Sequence, residues 1–218
     1  MALRAGSQGS ANPSPTVVGI DVGGQRKGFH AVALAAGRFA ERYPTADVDE
    51  LVRWCQKLNP SVIAIDAPCG WSIDGRARPA ERQLMAKGIW CFSTTTRERA
   101  VAHPKDYYGW MLRGEALFQG LRKTHPLGLP WSGRKCCFET FPHAIAWHLR
   151  GGNADASQKR GQRRALLDKA GVDLTKLTNI DLVDAALCAL AAHYAARGDV
   201  CRAYGEPETG YIVVPTGS

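Results

Sequence analysis

The sequence lacks the features that mark membrane, secreted and zinc-binding proteins. No apolar run is long and uninterrupted enough to span a bilayer. The first fifteen residues have one arginine and no hydrophobic central region, which predicts a disordered leader and not a secretion signal. The seven cysteines include no C-x-x-C pair, and their odd number does not favour a disulfide framework. We therefore expect reduced thiols in a cytoplasmic protein with no membrane partner.

Acidic residues are scarce as well, and the basic residues that outnumber them are unevenly distributed. The net charge is +8, with +7 in residues 121–170 and +5 in residues 76–105, so the rest of the chain is negative. This segregation favours a nucleic-acid partner, because neutralised phosphates supply most non-specific affinity. A merely soluble basic surface is the alternative. The predicted nucleic-acid contacts are Lys159, Arg160, Arg163 and Arg164.

A chain of 218 residues with 45% hydrophobic content suits one α/β domain, predicted for residues 16–215. Its apolar and alternating runs predict an antiparallel meander of three strands at residues 16–21, 28–35 and 38–43. Helix 49–58 then provides the crossover that a parallel strand at residues 61–68 requires. Residues from about 69 to 134 are irregular, which predicts a lid-like insertion.

Carboxylates occur at the ends of these strands. Asp21 ends the first strand just before two glycines, and Asp66 ends the fourth. If the two strands are parallel neighbours, both acids emerge at one edge of the sheet, where open sheets bind ligands. An aspartate that caps a turn is the alternative for each. Glu139 lies inside a further apolar strand, residues 135–141.

The last long helix, residues 181–194, is almost wholly apolar apart from two acids and a histidine, so we expect it to be deeply buried. Asp181 in the first turn can simply stabilise the helix through a favourable interaction with the helix dipole. Asp184 lies one turn further in, where that benefit fades, and this position suggests a ligand. Gly198 ends the helix, and residues 210–215 predict a final strand.

Aromatic residues interleaved with arginines give the insertion two interpretations. Tyr107, Tyr108 and Trp110 could stack on nucleobases, as the aromatic side chains of single-strand binding surfaces do. The favoured interpretation is that apolar residues of this stretch form the insertion's own core, namely Trp110, Leu112, Leu117, Phe118 and Leu121.

Taken together, the acids predict a divalent-cation site, because carboxylates packed together repel one another and raise each other's pKa. Hard oxygen ligands suit Mg²⁺ or Mn²⁺. Two such ions about 4 Å apart can activate water and stabilise the departing oxygen at a phosphodiester. The predicted metal ligands are Asp21, Asp66, Asp181 and Asp184. The predicted catalytic residues are Asp21, Asp66, Glu139 and Asp184.

The order of elements is similar to that of the ribonuclease-H-like fold. Short motifs resemble the DUF429 family, whose members are predicted nucleases of that fold: Gly19-Ile20-Asp21, Ile65–Pro68, Phe138–Pro142, Lys159–Arg164, Asp181–Ala186 and Ile212–Pro215. The resemblance covers about residues 16–215, although the insertion does not align with it. It implies a mixed sheet flanked by helices and a metal-dependent nuclease. Asp21, Asp66 and Asp184 would be its ligands, while Glu139 would be a ligand or structural.

Other functions remain open on the sequence. A non-catalytic nucleic-acid-binding module would use the acids only as caps. A phosphotransferase of the sugar-kinase and actin type would use the glycines after Asp21 as a phosphate loop, but it needs two lobes. A covalent mechanism through Cys69 or Cys91 has no histidine placed beside either in sequence. DNA or RNA, single or double strand, and monomer or homodimer are not distinguished.

Overall fold

A computed structural model describes residues 15–130 and 133–216, so nearly all of the predicted leader, residues 1–15, lies outside the described residues. The described residues form one mixed sheet of seven strands in the order β3-β2-β1-β4-β5-β7-β6. The strands are β1 (Thr16–Val22), β2 (Phe29–Ala35), β3 (Arg38–Thr45), β4 (Val62–Asp66), β5 (Cys136–Glu139), β6 (Cys201–Glu206) and β7 (Gly210–Pro215). The helices are α1 (Val48–Leu58), α2 (Pro79–Met85), α3 (Arg97–Ala102), α4 (Gly109–Leu121), α5 (Pro142–Leu149), α6 (Lys159–Lys169) and α7 (Ile180–Arg197).

The first half of the sheet confirms the predicted topology. β1, β2 and β3 form an antiparallel meander, and α1 carries the chain across to β4, which pairs parallel with β1. β5 extends the parallel part, and the antiparallel pair of β6 and β7 completes the sheet. This mixed α/β sheet is compatible with the ribonuclease-H-like fold. Strand β6 was not predicted, because its sequence, CRAYGE, has no clean apolar alternation.

Helices cover both faces of the sheet. One face packs against α7, supported by α2, α5 and α6, while the other packs against α1 and α4. The prediction that Leu117, Phe118 and Leu121 form the insertion's own core was wrong, because these α4 side chains pack with Leu51 and Ile63 in the core of the second face. The described part of the chain contains no helix with the length and apolarity needed to cross a membrane.

Helix α7 lies directly on β1, and a glycine permits this contact. A Cβ atom at Gly19 would lie 1.9 Å from the backbone nitrogen of Ala189, so only glycine fits there. The side chain of Asn179 caps the helix by accepting a hydrogen bond of 2.8 Å from the Leu182 backbone, and Gly198 ends it in a left-handed conformation. The acidic first turns of α7 therefore lie beside the end of β1.

Candidate functional site

Asp21 and Asp66 are direct neighbours at the carboxyl ends of β1 and β4. The parallel register pairs Asp21 with Asp66. Side chains at the same register of parallel strands leave the sheet on the same face. Val17 and Val62, an even number of residues before these two acids, belong to the core beneath α7, so both carboxylates face α7. The predicted convergence of the two strand-end acids is confirmed in the register.

Helix α7 brings two further aspartates to this edge, each with a cation. Asp181 accepts a bond of 3.0 Å from Nζ of Lys27 in the β1–β2 loop. Asp184 is buried and forms an ion pair with Arg163 of α6. The four predicted metal ligands therefore occupy one edge of the sheet, but only Asp21 and Asp66 have no salt bridge among the described residues.

The two unpaired aspartates resist ionisation. Burial raises the pKa of Asp21 to about 7, and the negative charges of Asp184 and Asp181 add to this shift, while Lys27 and Arg163 oppose it. Burial, followed by the charges of Asp21 and Asp184, raises the pKa of Asp66 well above its usual range. Burial also raises the pKa of Asp184 despite the opposing charge of Arg163. The site thus has more negative charge than its own cations neutralise.

Glu139 lies near Asp66 but has partners of its own. Its register partner is Ile65, one residue before Asp66, and it lines a small cavity together with Asp66, whose pKa its charge helps to raise. The guanidinium of Arg78 donates to both carboxylate oxygens of Glu139, at 2.6 and 3.0 Å, and the backbone N–H of Cys69 donates at 2.8 Å. Of the two roles predicted for Glu139, these contacts favour the structural one.

Arg78 connects this end of the sheet to the start of the inserted segment. Besides Glu139, it donates through Nε to Glu81 at 2.9 Å and through Nη1 to the carbonyls of Gly70 and Thr209, each at 3.2 Å. Its side chain is 1% exposed, so the charge is fully enclosed by partners. This network holds the loop that follows Asp66 against the sheet, and thereby fixes the backbone around the aspartates.

The basic helix α6 is only partly available to a ligand. Arg163 is buried against Asp184, and Arg164 donates a hydrogen bond of 3.1 Å to the carbonyl oxygen of Leu177. Both arginines therefore make contacts within the protein. Lys159 and Arg160 are exposed. Of the four predicted nucleic-acid contacts, these two therefore remain free to meet a phosphate, and Lys159 is close enough to lower the pKa of Asp184.

Sequence reasoning missed three residues at or near this edge. Lys27 reaches Asp181 across 154 positions, and His30 on β2 is the register partner of Asp21. His30 faces α7, its Nδ1 atom is buried without a partner, and burial lowers its pKa. Arg78 was missed because its partner Glu139 is 61 residues away. The available local signal was a lysine three residues after the second of the two glycines that follow Asp21.

The residues present fit a divalent cation only in part. Among the residues that the structure describes, no three His, Cys, Asp or Glu side chains are grouped closely enough to hold a metal ion. Asp21 and Asp66 nevertheless supply adjacent hard oxygen donors. Burial and then repulsion between the carboxylates raise the pKa of both, and a bound cation would favour their ionised forms. Asp184 would join them only if its ion pair with Arg163 opened.

The cysteines near this edge do not fit a nucleophile. Burial raises the pKa of the Cys69 thiol well above its usual range, and the charge of Glu139 adds to this effect. Burial likewise raises the pKa of Cys91 to about 12. Because the thiolate is the reactive form, both side chains are poor nucleophiles at neutral pH. All seven cysteines are free thiols.

In the comparison with protein families, residues 19–209 match the family described as a protein of unknown function, DUF429. The matched region begins at Gly19 and includes every acid discussed above, together with the insertion. Comparison with curated proteins gives no match, and neither does comparison with solved structures.

Proposed function

The chain belongs to the DUF429 family, and from that premise we propose that it is a divalent-metal-dependent nuclease that hydrolyses phosphodiester bonds. The observation that supports this proposal is the side-by-side placement of Asp21 and Asp66 with no cation of their own. Holding two half-buried carboxylates side by side costs free energy, and an ordinary structural role does not explain why the fold retains them. A cation-binding site would explain why the fold retains this pair.

Asp21 and Asp66 would hold Mg²⁺ or Mn²⁺, with Asp184 as a further ligand. The metal would supply a bound water of lowered pKa and would stabilise charge on the departing oxygen. The protein's own cations have complementary roles. Lys27, bound to Asp181, lies beside the site and can attract a phosphate, and exposed Lys159 lies on the α6 side. Arg78 and Glu139 position the loop after Asp66.

Two alternatives proposed from the sequence are less well supported by the geometry. A non-catalytic binding module would leave the half-buried pair of aspartates without a purpose. A sugar-kinase-like phosphotransferase requires two lobes, whereas residues 15–130 and 133–216 form one sheet. A cytoplasmic location and a homodimeric assembly remain proposals, and the free thiols are consistent with the former.

The decisive experiment compares Asp21→Asn and Asp66→Asn with the parent protein on end-labelled single-stranded and duplex DNA and RNA, with Mn²⁺ or Mg²⁺. We expect each substitution to reduce cleavage at least 100-fold, because removing one carboxylate from a metal site typically costs far more than a surface change. Asp199→Asn is the matched control. It removes an acid just beyond the opposite end of α7, a helix about 27 Å long.

Metal binding provides the second readout. Calorimetric titration with Mn²⁺ is expected to show binding to the parent and to Asp199→Asn, and weaker binding to Asp21→Asn. Cleavage that persists unchanged in both site variants would refute the assignment of the site. Metal binding without cleavage of any of the four substrates would leave a cation site but contradict the nuclease.

A further inference from the structure

A wide basic cleft opens beside the aspartates. It lies between the β1–β2 loop and the segment that follows α3, and its volume is about 730 Å³. Its lining includes the side chains of Arg26, Lys27 and Lys105, together with His103 and Tyr107. The one carboxylate in the lining, Asp106, already accepts a hydrogen bond of 3.1 Å from the backbone N–H of Gln25. The cleft therefore has a net positive lining.

Aromatic rings form one wall of this region. Tyr107 and Phe92 are 52% and 50% exposed, and their ring centroids are 5.6 Å apart. Buried or half-buried rings support them from behind: Tyr108 contacts Tyr107 at 4.8 Å in an edge-on arrangement, and Trp110 contacts Phe92 at 6.2 Å. His103 lies 5.4 Å from Tyr107. The two exposed rings are thus held in place while each keeps about half of its surface in solvent.

The exposed rings connect the basic cleft to the carboxylates. Tyr107 lines the cleft, whereas Phe92 lines a smaller cavity of about 60 Å³ whose wall also includes Asp66. A ligand that lay across both rings would extend from the cations of the cleft towards Asp66. The path combines positive charge on one side with flat apolar surface on the other, and it ends at the proposed reaction site.

We propose that Phe92 and Tyr107 form a stacking platform for single-stranded nucleic acid, with Arg26, Lys27 and Lys105 holding its phosphates. The proposal rests on the proposed nuclease function and names the class of its substrate. Exposed rings beside a cationic groove are the combination that binds unpaired strands, because every base has a face that can stack. The bases of a duplex are stacked on one another, so the two rings cannot stack on them unless the strands unpair.

The test measures binding and cleavage separately. Binding of a fluorescein-labelled twelve-residue oligothymidylate is followed by anisotropy without metal, in the Asp21→Asn background, so that cleavage does not interfere. Against this background we expect Phe92→Ala combined with Tyr107→Ala to weaken binding by at least about 30-fold, since stacking is lost for about two bases. Phe92→Leu with Tyr107→Leu keeps apolar bulk without rings and should weaken binding as well. Circular dichroism checks that each variant is folded.

Two ligands separate stacking from charge. An abasic oligomer of the same length has the phosphates without the bases, so the ring substitutions should change its affinity less than twofold. A twelve-base-pair duplex should bind the parent and the ring variants alike. Lys105→Ala should lower affinity for the oligothymidylate and the abasic oligomer together, and should reduce the slope of log affinity against log salt by about 0.7.

Matched controls come from the opposite end of α7. Val200 is an exposed apolar residue, 74% exposed, and Arg197 is an exposed cation. Val200→Ala and Arg197→Ala should leave binding of the oligothymidylate unchanged. Equal weakening by these controls and by the platform variants would overturn the proposal, because non-specific attraction would then explain the binding.

Failure of the platform is distinguishable from failure of the nuclease. If the ring variants bind oligothymidylate as the parent does, the platform is refuted, even where Asp21 and Asp66 prove essential for cleavage. If single strands bind through the rings but no metal supports cleavage, the platform stands and the nuclease fails. Ring substitutions that weakened duplex binding as much as single-strand binding would also overturn the platform, because stacking on unpaired bases would then not explain the loss.

Discussion

Replacing Asp21 with asparagine should stabilise the metal-free protein, although the same change should abolish activity. The pKa of Asp21 is raised from 3.8 to about 7, first by burial and then by the charges of Asp184 and Asp181. The folded protein therefore holds a proton between about pH 4 and pH 7 that the unfolded chain releases. Stability of the parent falls as pH rises through this window, and the loss is complete above pH 7.

The magnitude follows from the same shift. Each pKa unit corresponds to 1.36 kcal/mol, so a change from 3.8 to about 7 corresponds to about 4 kcal/mol of destabilisation at pH 8. Asparagine carries no charge at any pH and removes this cost. For a chain of this size, about 4 kcal/mol corresponds to an increase in Tm of about 10 °C. Removing the charge at position 21 also lowers the pKa of Asp66, which acts in the same direction.

The assay is urea unfolding of the parent and Asp21→Asn in EDTA at pH 4, 6 and 8. We expect the variant to be more stable at pH 8, with a difference that shrinks on acidification and vanishes below about pH 4. In a separate titration without EDTA, Mn²⁺ should stabilise the parent selectively, because it binds only the folded state with both carboxylates. A variant that is less stable at pH 8, or a difference that does not depend on pH, would refute the reasoning. Asp199→Asn serves as the control.

Two further predictions concern the supports of the site. Gly19→Ala should cost more than about 3 kcal/mol of stability or prevent folding, because its Cβ would lie 1.9 Å from the Ala189 nitrogen. In contrast, Gly161 lies on the exposed face of α6, where a Cβ meets nothing within 4 Å. Gly161→Ala should therefore stabilise the protein by about 0.5–1 kcal/mol in the same urea titration. Equal effects at the two glycines would contradict the close packing of α7 on β1. Arg78→Met should cost about 3–5 kcal/mol by leaving Glu139 buried without its cation, and adding Glu139→Gln should recover part of that loss. If thermal unfolding showed no recovery in the double variant, the ion pair would not be the reason for the loss.

The central half of the fold could be predicted from local pattern. The meander, helix α1, the strand that ends at Asp66 and the capped helix α7 all follow from hydrophobic period and terminal residues, which act over a few positions. Helix α4 shows where this reasoning failed. Its apolar residues were recognised, but periodicity does not tell which surface a helix covers, and the second face of the sheet needed a partner beside α1.

The sequence by itself determined that acidic residues end two of the strands and that two further acidic residues lie in the first turns of α7. The reason is that strand ends and helix caps depend on residues adjacent in sequence. Only the tertiary structure decided which of these acids act together. Arg78 neutralises Glu139 from 61 positions away, and Arg163 neutralises Asp184 from 21 positions away. Likewise, Phe92 and Tyr107 come together only because the chain folds back between them. Strand register and ion pairs between distant residues depend on three-dimensional contacts, which no local pattern encodes.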